Sequence, residues 1–115
     1  MVVDDEPDVC FAITKMLEQL DCKVDSFNDP VLATSRFRAN SYFLVMLDIR
    51  MPKMDGFQLY QKIRKKDKKV RVCFITAYEI YLEQFGQLEK SELNKFIQKP
   101  VNIDQLKELL ENMKG

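Results

Sequence analysis

Two kinds of segment alternate along the chain. Short runs rich in β-branched, aromatic and other apolar residues are separated by longer stretches in which apolar residues recur three and four positions apart. The short runs are typical of β-strands, and the longer spacing is typical of amphipathic helices. We therefore predict strands at residues 1–3, 23–27, 42–47, 70–75 and 95–98, with a helix after each of them.

The starts of the first three helices are marked by residues that suit helix ends. Pro7 falls in the first turn of the first helix, where a missing backbone N–H leaves no hydrogen bond unmade. Asp29 and Pro30 provide an N-cap and a first helical position for the second helix, which is predicted to run to about residue 39. Asp55 opens the third helix in the same way.

The last two helices are predicted from the same signals. The fourth covers about residues 79–90 and is interrupted by Gly86. The fifth begins at Asn102, and Gln105 three residues later completes a capping-box pattern. The residues that these spacings turn toward a core are Val9, Ile13, Met16, Leu17 and Leu20 in the first helix, Phe57, Tyr60 and Ile63 in the third, Ile80, Tyr81, Phe85 and Leu88 in the fourth, and Ile103, Leu106, Leu110 and Met113 in the fifth.

The strict alternation of strands and helices predicts a doubly wound α/β domain. Its five strands would form a parallel sheet with right-handed crossovers, and its five helices would cover both faces. The run at residues 42–47 has no polar alternation, as expected of a central strand that is covered on both sides. In such a sheet the ligand site lies beyond the carboxyl ends of the strands.

The size and composition fit one soluble globular domain. The chain has 115 residues, of which 46% are hydrophobic and 31% are charged. No apolar run is long enough to cross a bilayer and no secretory leader is present, so we expect a cytoplasmic protein without a membrane partner. We predict a single domain over residues 1–115.

Charge and reactive residue types narrow the function classes. The net charge is zero, which argues against direct binding of nucleic acid, and we interpret the basic run at residues 62–71 as a solvated helix end. Cys10, Cys22 and Cys73 match no metal spacing and are expected to be buried thiols. The absence of histidine excludes histidine acid–base catalysis and the phosphodonor histidine of a kinase.

Polar residues with useful chemistry follow four of the predicted strands. Asp4 and Asp5 follow the first strand, Asp48 the third, Thr76 the fourth and Lys99 the fifth. Three converging carboxylates would repel one another unless a cation shared the site, and Mg²⁺ suits it because this ion prefers oxygen ligands. A carboxylate beside Mg²⁺ and a lysine can attack phosphorus, in a reaction that depends on positioning and charge neutralisation rather than on a histidine base.

Four segments carry a family resemblance. They are residues 2–7 (VVDDEP), 48–56 (DIRMPKMDG), 75–78 (ITAY) and 96–100 (FIQKP). In this order and spacing they resemble the conserved blocks of response regulator receiver domains, which belong to two-component signalling and have a flavodoxin-like fold. The resemblance covers nearly the whole chain and implies the strand order 2-1-3-4-5.

The resemblance implies a role in phosphoryl transfer for several residues. Asp48 would accept the phosphoryl group, Lys99 would pair with its oxygens, and the Thr76 hydroxyl would move to bond one of them. Phe96 occupies the position of a switch aromatic residue that turns inward when the threonine moves. The Lys99–Pro100 peptide would be cis.

The resemblance also implies how the metal and the phosphate lifetime are controlled. Mg²⁺, or Mn²⁺, would be bound by Asp5, Asp48 and the backbone carbonyl of Arg50, with Asp4 acting directly or through water. Arg50 and Tyr78 flank the pocket at positions that influence how long the phosphate survives in this family. We hypothesise that the two side chains shield the acyl phosphate from water.

The implied partners follow from the same resemblance. A sensor histidine kinase or a phosphotransfer protein would supply the phosphoryl group. Phosphorylation would shift the population of the face formed by the fourth helix, fifth strand and fifth helix, which a partner protein, an output domain or a second copy would read. The domain would catalyse only its own phosphorylation and dephosphorylation.

Three other functions were compared with this one. An enzyme of the haloacid dehalogenase type needs an aspartate two residues after the first, where this chain has Arg50. A nucleotide- or flavin-binding module needs glycine-rich loops, and the glycines here are only Gly56, Gly86 and Gly115. A phosphorylation-independent interaction domain would not be expected to keep the acidic pocket.

Overall fold

The computed structural model of the chain describes residues 1–77 and 96–113. Within these residues five strands alternate with four helices. In chain order they are β1 (Val2–Val3), α1 (Pro7–Gln19), β2 (Ser26–Phe27), α2 (Pro30–Arg36), β3 (Leu44–Asp48), α3 (Gly56–Lys66), β4 (Arg71–Thr76), β5 (Phe96–Gln98) and α4 (Ile103–Asn112). The fourth predicted helix, with Tyr78 just before it, lies outside the described residues, so α4 corresponds to the fifth predicted helix.

The strands form one parallel sheet in the order β2-β1-β3-β4-β5. Val2 in β1 lies opposite Ser26 on one side and Met46 on the other, which places β1 inside the sheet. β3 is fully buried along its length, as expected of a central strand. The predicted parallel sheet and its strand order are confirmed.

Two apolar clusters fill the space between the sheet and its helices, one on each face. Alternate residues of the central strands point to opposite sides, so Val45 and Leu47 join one cluster while Leu44 and Met46 join the other. The first cluster adds Ala33 from α2, Phe37 directly after it, and Leu59 and Ile63 from α3. The second adds residues from α1 and α4: Cys10, Ile13, Leu17 and Leu106. This arrangement is the predicted doubly wound domain.

The predicted helix caps are all present. The Asp29 side chain accepts a hydrogen bond from the Val31 N–H, at 2.9 Å. Capping boxes begin α3 and α4, where the side chains of Asp55 and Asn102 accept from the N–H three residues on and the glutamine there bonds back. No helix among the described residues is long and apolar enough to span a membrane.

Several element boundaries differ from the predicted ones. The edge strand β2 is only two residues long because it pairs on one side alone, with the equally short β1. Helix α2 ends at Arg36 rather than near residue 39, since Phe37 takes an extended backbone and buries its ring. Asp48 is the last residue of β3 rather than the first residue after it.

Some predicted core positions also differ. Leu59 is the fully buried residue of α3 together with Ile63, whereas Phe57 and Tyr60 are half-buried. Ile103 sits in the first turn of α4 and is half-buried, whereas Leu106 is fully buried as predicted. Of the cysteines, Cys10 and Cys73 are buried as predicted, but Cys22, in the connection between α1 and β2, is only partly buried.

Candidate functional site

The predicted acidic residues meet at the carboxyl edge of the sheet. One carboxylate oxygen from each of Asp4, Asp5, Glu6 and Asp48 lies within 4.8 Å of the others. A small cavity of about 230 Å³ opens beside them. It is lined by Asp5, Glu6, Asp48, Arg50, Thr76, Ala77 and Lys99.

Backbone hydrogen bonds at the strand ends fix these residues relative to one another. The Ile49 N–H donates to the Ile75 carbonyl at 3.1 Å, which holds the end of β3 beside the end of β4. The Lys99 N–H donates to the Thr76 carbonyl at 2.7 Å, which holds the lysine beside the threonine. The site is therefore built on the sheet rather than on free loops.

Gly56 closes the loop that follows Asp48. Its N–H donates to the Ile49 carbonyl at 2.8 Å, so the start of α3 is tied back to the end of β3. A Cβ atom at this position would lie 2.4 Å from the Asp48 carbonyl oxygen, which is far too close for any side chain. The sequence places Gly56 only at a helix start, and its close approach to the Asp48 backbone becomes visible in the structure.

Lys99 lies at the centre of the charges. Its Nζ atom is 3.0 Å from an oxygen of Asp4, 3.0 Å from an oxygen of Glu6 and 3.5 Å from an oxygen of Asp48. The Asp4 side chain is fully buried, and its other oxygen accepts a hydrogen bond from the Glu6 N–H at 2.9 Å. One ammonium group thus forms ion pairs with three carboxylates.

This arrangement changes the acidity of both Asp48 and Lys99. Burial raises the pKa of Asp48 from 3.8 to about 7, and the charge of Asp4 adds to the increase while Lys99 opposes it. Burial by itself lowers the pKa of Lys99, but its hydrogen bonds to Asp4 and Glu6 outweigh burial and raise the pKa above the usual range. Lys99 is therefore a permanent cation, and its single charge does not offset the acidic cluster.

Glu6 is the site residue that the sequence prediction missed. It is the N-cap residue of α1, but its side chain makes no capping hydrogen bond. Its partner Lys99 is 93 positions away in the chain, a separation that spacing within one motif cannot reveal. The available signal was the placement of a third acid directly after Asp4 and Asp5.

Thr76 and Phe96, the predicted switch residues, lie on the neighbouring strands β4 and β5. Thr76 is the buried last residue of β4 and lines the cavity. Phe96 begins β5, and its ring stacks on Phe74 with centroids 5.2 Å apart and an interplanar angle of 20°. Phe74 also contacts Phe57 and Tyr60, so the Phe96 ring belongs to a group of four aromatic side chains.

Two more predicted features concern the pocket edge. The Lys99–Pro100 peptide bond is cis, as the family resemblance implies. Arg50 is exposed and lines the cavity. Tyr78 lies outside the described residues.

A comparison with family models decides what this site belongs to. The model for the response regulator receiver domain matches residues 1–111. The chain belongs to this family. Receiver domains are signalling modules that interact with histidine kinases or phosphotransfer proteins. The family match therefore excludes the haloacid dehalogenase enzyme and the flavin-binding module as alternatives.

Relatives of this receiver domain occur in much larger proteins. It is 34% identical over 117 residues to the hybrid signal transduction histidine kinase L of Dictyostelium discoideum, covering 96% of this chain and 7% of that protein. It is 34% identical over 110 residues to the sensor histidine kinase RcsC of Salmonella typhi, covering 96% of this chain and 12% of that protein. The chain therefore spans only a small part of these relatives.

Solved structures agree with the fold of this receiver domain. The non-phosphorylated HemR receiver domain from Leptospira biflexa is 30% identical and superposes with a TM-score of 0.81, covering 97% of this chain and 90% of that one.

Receiver domains bind Mg²⁺ through acidic residues, and the cluster of Asp4, Asp5, Glu6 and Asp48 offers the hard oxygen donors that this ion requires.

Proposed function

We propose that Asp48 accepts a phosphoryl group from a histidine kinase or a phosphotransfer protein, in a reaction that depends on Mg²⁺. The observation that carries this proposal is the position of Asp48. Its nearly buried carboxylate ends β3, lines the cavity, and lies 3.5 Å from the ammonium group of Lys99. An acid in this position combines a reactive oxygen with a cation that can neutralise phosphoryl oxygens.

The proposed transfer is a displacement at phosphorus. An Asp48 oxygen forms the new P–O bond while the bond from phosphorus to the donor's leaving atom breaks, and the leaving atom keeps the electron pair. The product is an acyl phosphate, which a water molecule later hydrolyses to inorganic phosphate and free Asp48. Lys99 pairs with the transferred oxygens, and the Thr76 hydroxyl donates a hydrogen bond to one of them.

We propose that Asp5, Asp48 and the backbone carbonyl of Arg50 hold the metal ion, with Asp4 acting directly or through water. The chemistry of the donor set supports this, because the carboxylate oxygens lie within 4.8 Å of one another. When bound there, Mg²⁺ would neutralise charge on the phosphoryl oxygens and favour the ionised, nucleophilic form of Asp48. Burial raises the pKa of Asp48 and so opposes that form.

We propose that the signal leaves through the strand end that carries Thr76. The Thr76 carbonyl accepts from the Lys99 N–H, so β4 and β5 are joined at the site where the phosphoryl group would bind. Movement of the threonine hydroxyl would be transmitted to Phe96 and to the face that includes β5 and α4. An output domain, a partner protein or a second copy would read this face.

A mass measurement on the intact protein tests the proposal. The receiver is incubated with Mg²⁺ and acetyl phosphate, with and without a chelator, beside the variants Asp48→Asn and Asp8→Asn. Asp8 is an exposed acid in the first turn of α1 and serves as the matched control. We expect a phosphate-sized gain in the parent and in Asp8→Asn, and no gain in Asp48→Asn or with the chelator. An equal gain in Asp48→Asn, or none in the parent, would refute the proposal.

A further inference from the structure

The three carboxylates around Lys99 differ in their exposure to solvent. The side chain of Asp4 is 0% exposed and that of Asp48 is 5% exposed, whereas that of Glu6 is 60% exposed. Ion pairs at exposed positions are weak because water and salt screen them. The Glu6 pair is therefore the one of the three that can be broken most easily.

Glu6 has no structural duty that explains its side chain. It occupies the N-cap of α1, a position where Ser, Thr, Asp and Asn stabilise helices and Glu is not among the preferred residues. The cap hydrogen bond is absent, and the Glu6 N–H is satisfied by Asp4 instead. Within the described part of the chain, the ion pair of its carboxylate is with Lys99.

Lys99 already interacts with three anions in this state. An ammonium group carries three N–H donors, and three carboxylate oxygens lie within ion-pairing distance of Nζ. A phosphoryl group on Asp48 brings further anionic oxygens that compete for the same donors. Among the three carboxylates, Glu6 gives way most readily, because burial holds Asp4 and Asp48 in place.

We propose that Glu6 is a positioning residue that holds Lys99 in the unphosphorylated receiver, is displaced from it by the phosphoryl group, and thereby slows phosphorylation. This inference rests on the proposed role of Asp48. Glu6 does not touch the reacting atoms; it acts through Lys99, and its negative charge at the edge of the cavity also repels an anionic phosphodonor.

Removal of the Glu6 charge should therefore accelerate phosphorylation. Exposed ion pairs contribute about 0.2 to 1 kcal/mol, which corresponds to a rate increase of at most about fivefold. We expect Glu6→Gln to raise the second-order rate constant for acetyl phosphate by about 1.4- to fivefold. Glu6→Ala removes the same charge without introducing the side-chain amide of glutamine, and it should give the same increase.

The test compares Glu6→Gln with Asp8→Asn at a Mg²⁺ concentration that saturates each protein. Both substitutions remove one negative charge near the start of α1, but of these two residues Glu6 is the one that has an ion pair with Lys99 in the described structure. Rates are measured from about 10 mM to about 1 M salt, because screening removes the interaction of exposed charges over this range. We expect the ratio of Glu6→Gln to parent to fall toward one as salt increases, and Asp8→Asn to follow the parent throughout.

Several results would overturn the inference. They are an unchanged or slower rate in Glu6→Gln, an equal acceleration in Asp8→Asn, and an acceleration that does not depend on salt. As a folding control, the thermal unfolding temperature of each variant is measured. A value near that of the parent means that the rates are compared between folded proteins. If the parent takes up phosphate normally but Glu6→Gln does not differ from it, only the role of Glu6 fails; if the parent takes up none, the proposed function fails as well.

Discussion

At the scale of single residues, the site is an acidic pocket with too little positive charge. Lys99 lies within 3.5 Å of three carboxylates, and Asp48 remains hard to ionise in spite of it. The cause is burial first and the neighbouring Asp4 second. A divalent cation beside Asp48, or neutralisation of its carboxylate, would relieve this excess of negative charge.

The elevated pKa of Asp48 predicts a pH dependence of stability. Because the pKa rises from 3.8 to about 7 on folding, the folded state holds this proton more tightly than the unfolded state. The stabilising contribution is fully present below about pH 4 and is lost as the pH rises through about 7. We expect Asp48→Asn to unfold at a higher temperature than the parent at pH 8 without Mg²⁺, and the difference to shrink toward pH 4.

Asp67 provides a control of opposite sign. Hydrogen bonds from the N–H groups of Asn40, Lys69 and Val70 lower the pKa of this carboxyl group. Its contribution is therefore present above about pH 4 and is lost as the pH falls. Asp67→Asn should unfold at a lower temperature than the parent at pH 8, and a shift of the same sign in both variants would contradict the assignment.

The exposed side chain of Arg50 predicts an effect on the lifetime of the acyl phosphate. It lines the cavity beside Asp48, where its bulk can hinder the approach of water. We expect Arg50→Ala to lose phosphate several-fold faster than the parent. The measurement is the decay of the phosphorylated mass after the donor is removed. Lys53→Ala, an exposed change in the same loop, is the control. Equal decay in all three proteins would reject the shielding hypothesis.

At the scale of elements, two helices begin near residues of the site. Helix α3 begins at Gly56, whose backbone packs directly against the carbonyl of Asp48. Helix α4 begins at Ile103, and its N-cap Asn102 lies two residues after Pro100 of the cis Lys99–Pro100 peptide. The two starts differ in what they support, because the first touches the Asp48 backbone and the second stabilises its own helix.

Substitution at Gly56 should disturb both folding and function. A Cβ atom would lie 2.4 Å from the Asp48 carbonyl oxygen and 2.9 Å from Ile49 Cα, so the end of β3 must shift to accommodate it. We expect Gly56→Ala to lower the free energy of unfolding by about 1–3 kcal/mol in chemical denaturation and to slow phosphorylation. Gln61→Ala, an exposed change in the same helix, should do neither. Parent-like stability in Gly56→Ala would contradict the close approach.

Substitution at Asn102 should affect stability alone. Its side chain accepts a hydrogen bond from the Gln105 N–H at 2.9 Å, and Gln105 bonds back at 2.9 Å. We expect Asn102→Ala to lower the free energy of unfolding by about 1 kcal/mol, with phosphorylation by acetyl phosphate unchanged. Glu108→Ala on the exposed side of α4 is the control. A full loss of phosphorylation in Asn102→Ala would show that the cap also shapes the site.

Local signals in the sequence predicted most of the helices and strands. The caps at Asp29, Asp55 and Asn102 were predicted because each depends on residues a few positions apart. The length of β2 was not, since an edge strand is limited by its single partner. The close approach of Gly56 to Asp48 was not either, because it depends on how a loop folds back in space.

At the scale of the whole molecule, the fold places chemistry from distant parts of the chain at one sheet edge. The convergence of Asp4, Asp48, Thr76 and Lys99 was predictable, because the carboxyl ends of parallel strands share an edge. The contact between Glu6 and Lys99 was not, because it depends on side-chain reach across that edge. The roles of Thr76 and Phe96 as a switch stay predictions that concern motion rather than position.

The same scale sets the context of the receiver domain. It spans 7% and 12% of two relatives that are hybrid or sensor histidine kinases. A module of this kind needs a site that reacts and a surface that reports the reaction. In this chain β4 and β5 both end at the cavity, and the last three residues of β4 pair with β5.

Asp48 is the residue proposed to carry the phosphoryl group. The most direct measurement is to phosphorylate the protein with acetyl phosphate and Mg²⁺, reduce the acyl phosphate with borohydride, and sequence the peptides by mass spectrometry. Reduction converts a phosphorylated aspartate to homoserine, which marks the position permanently. We predict homoserine at position 48 and unmodified Asp4, Asp5 and Glu6. Modification at one of those three acids, with Asp48 intact, would contradict the account.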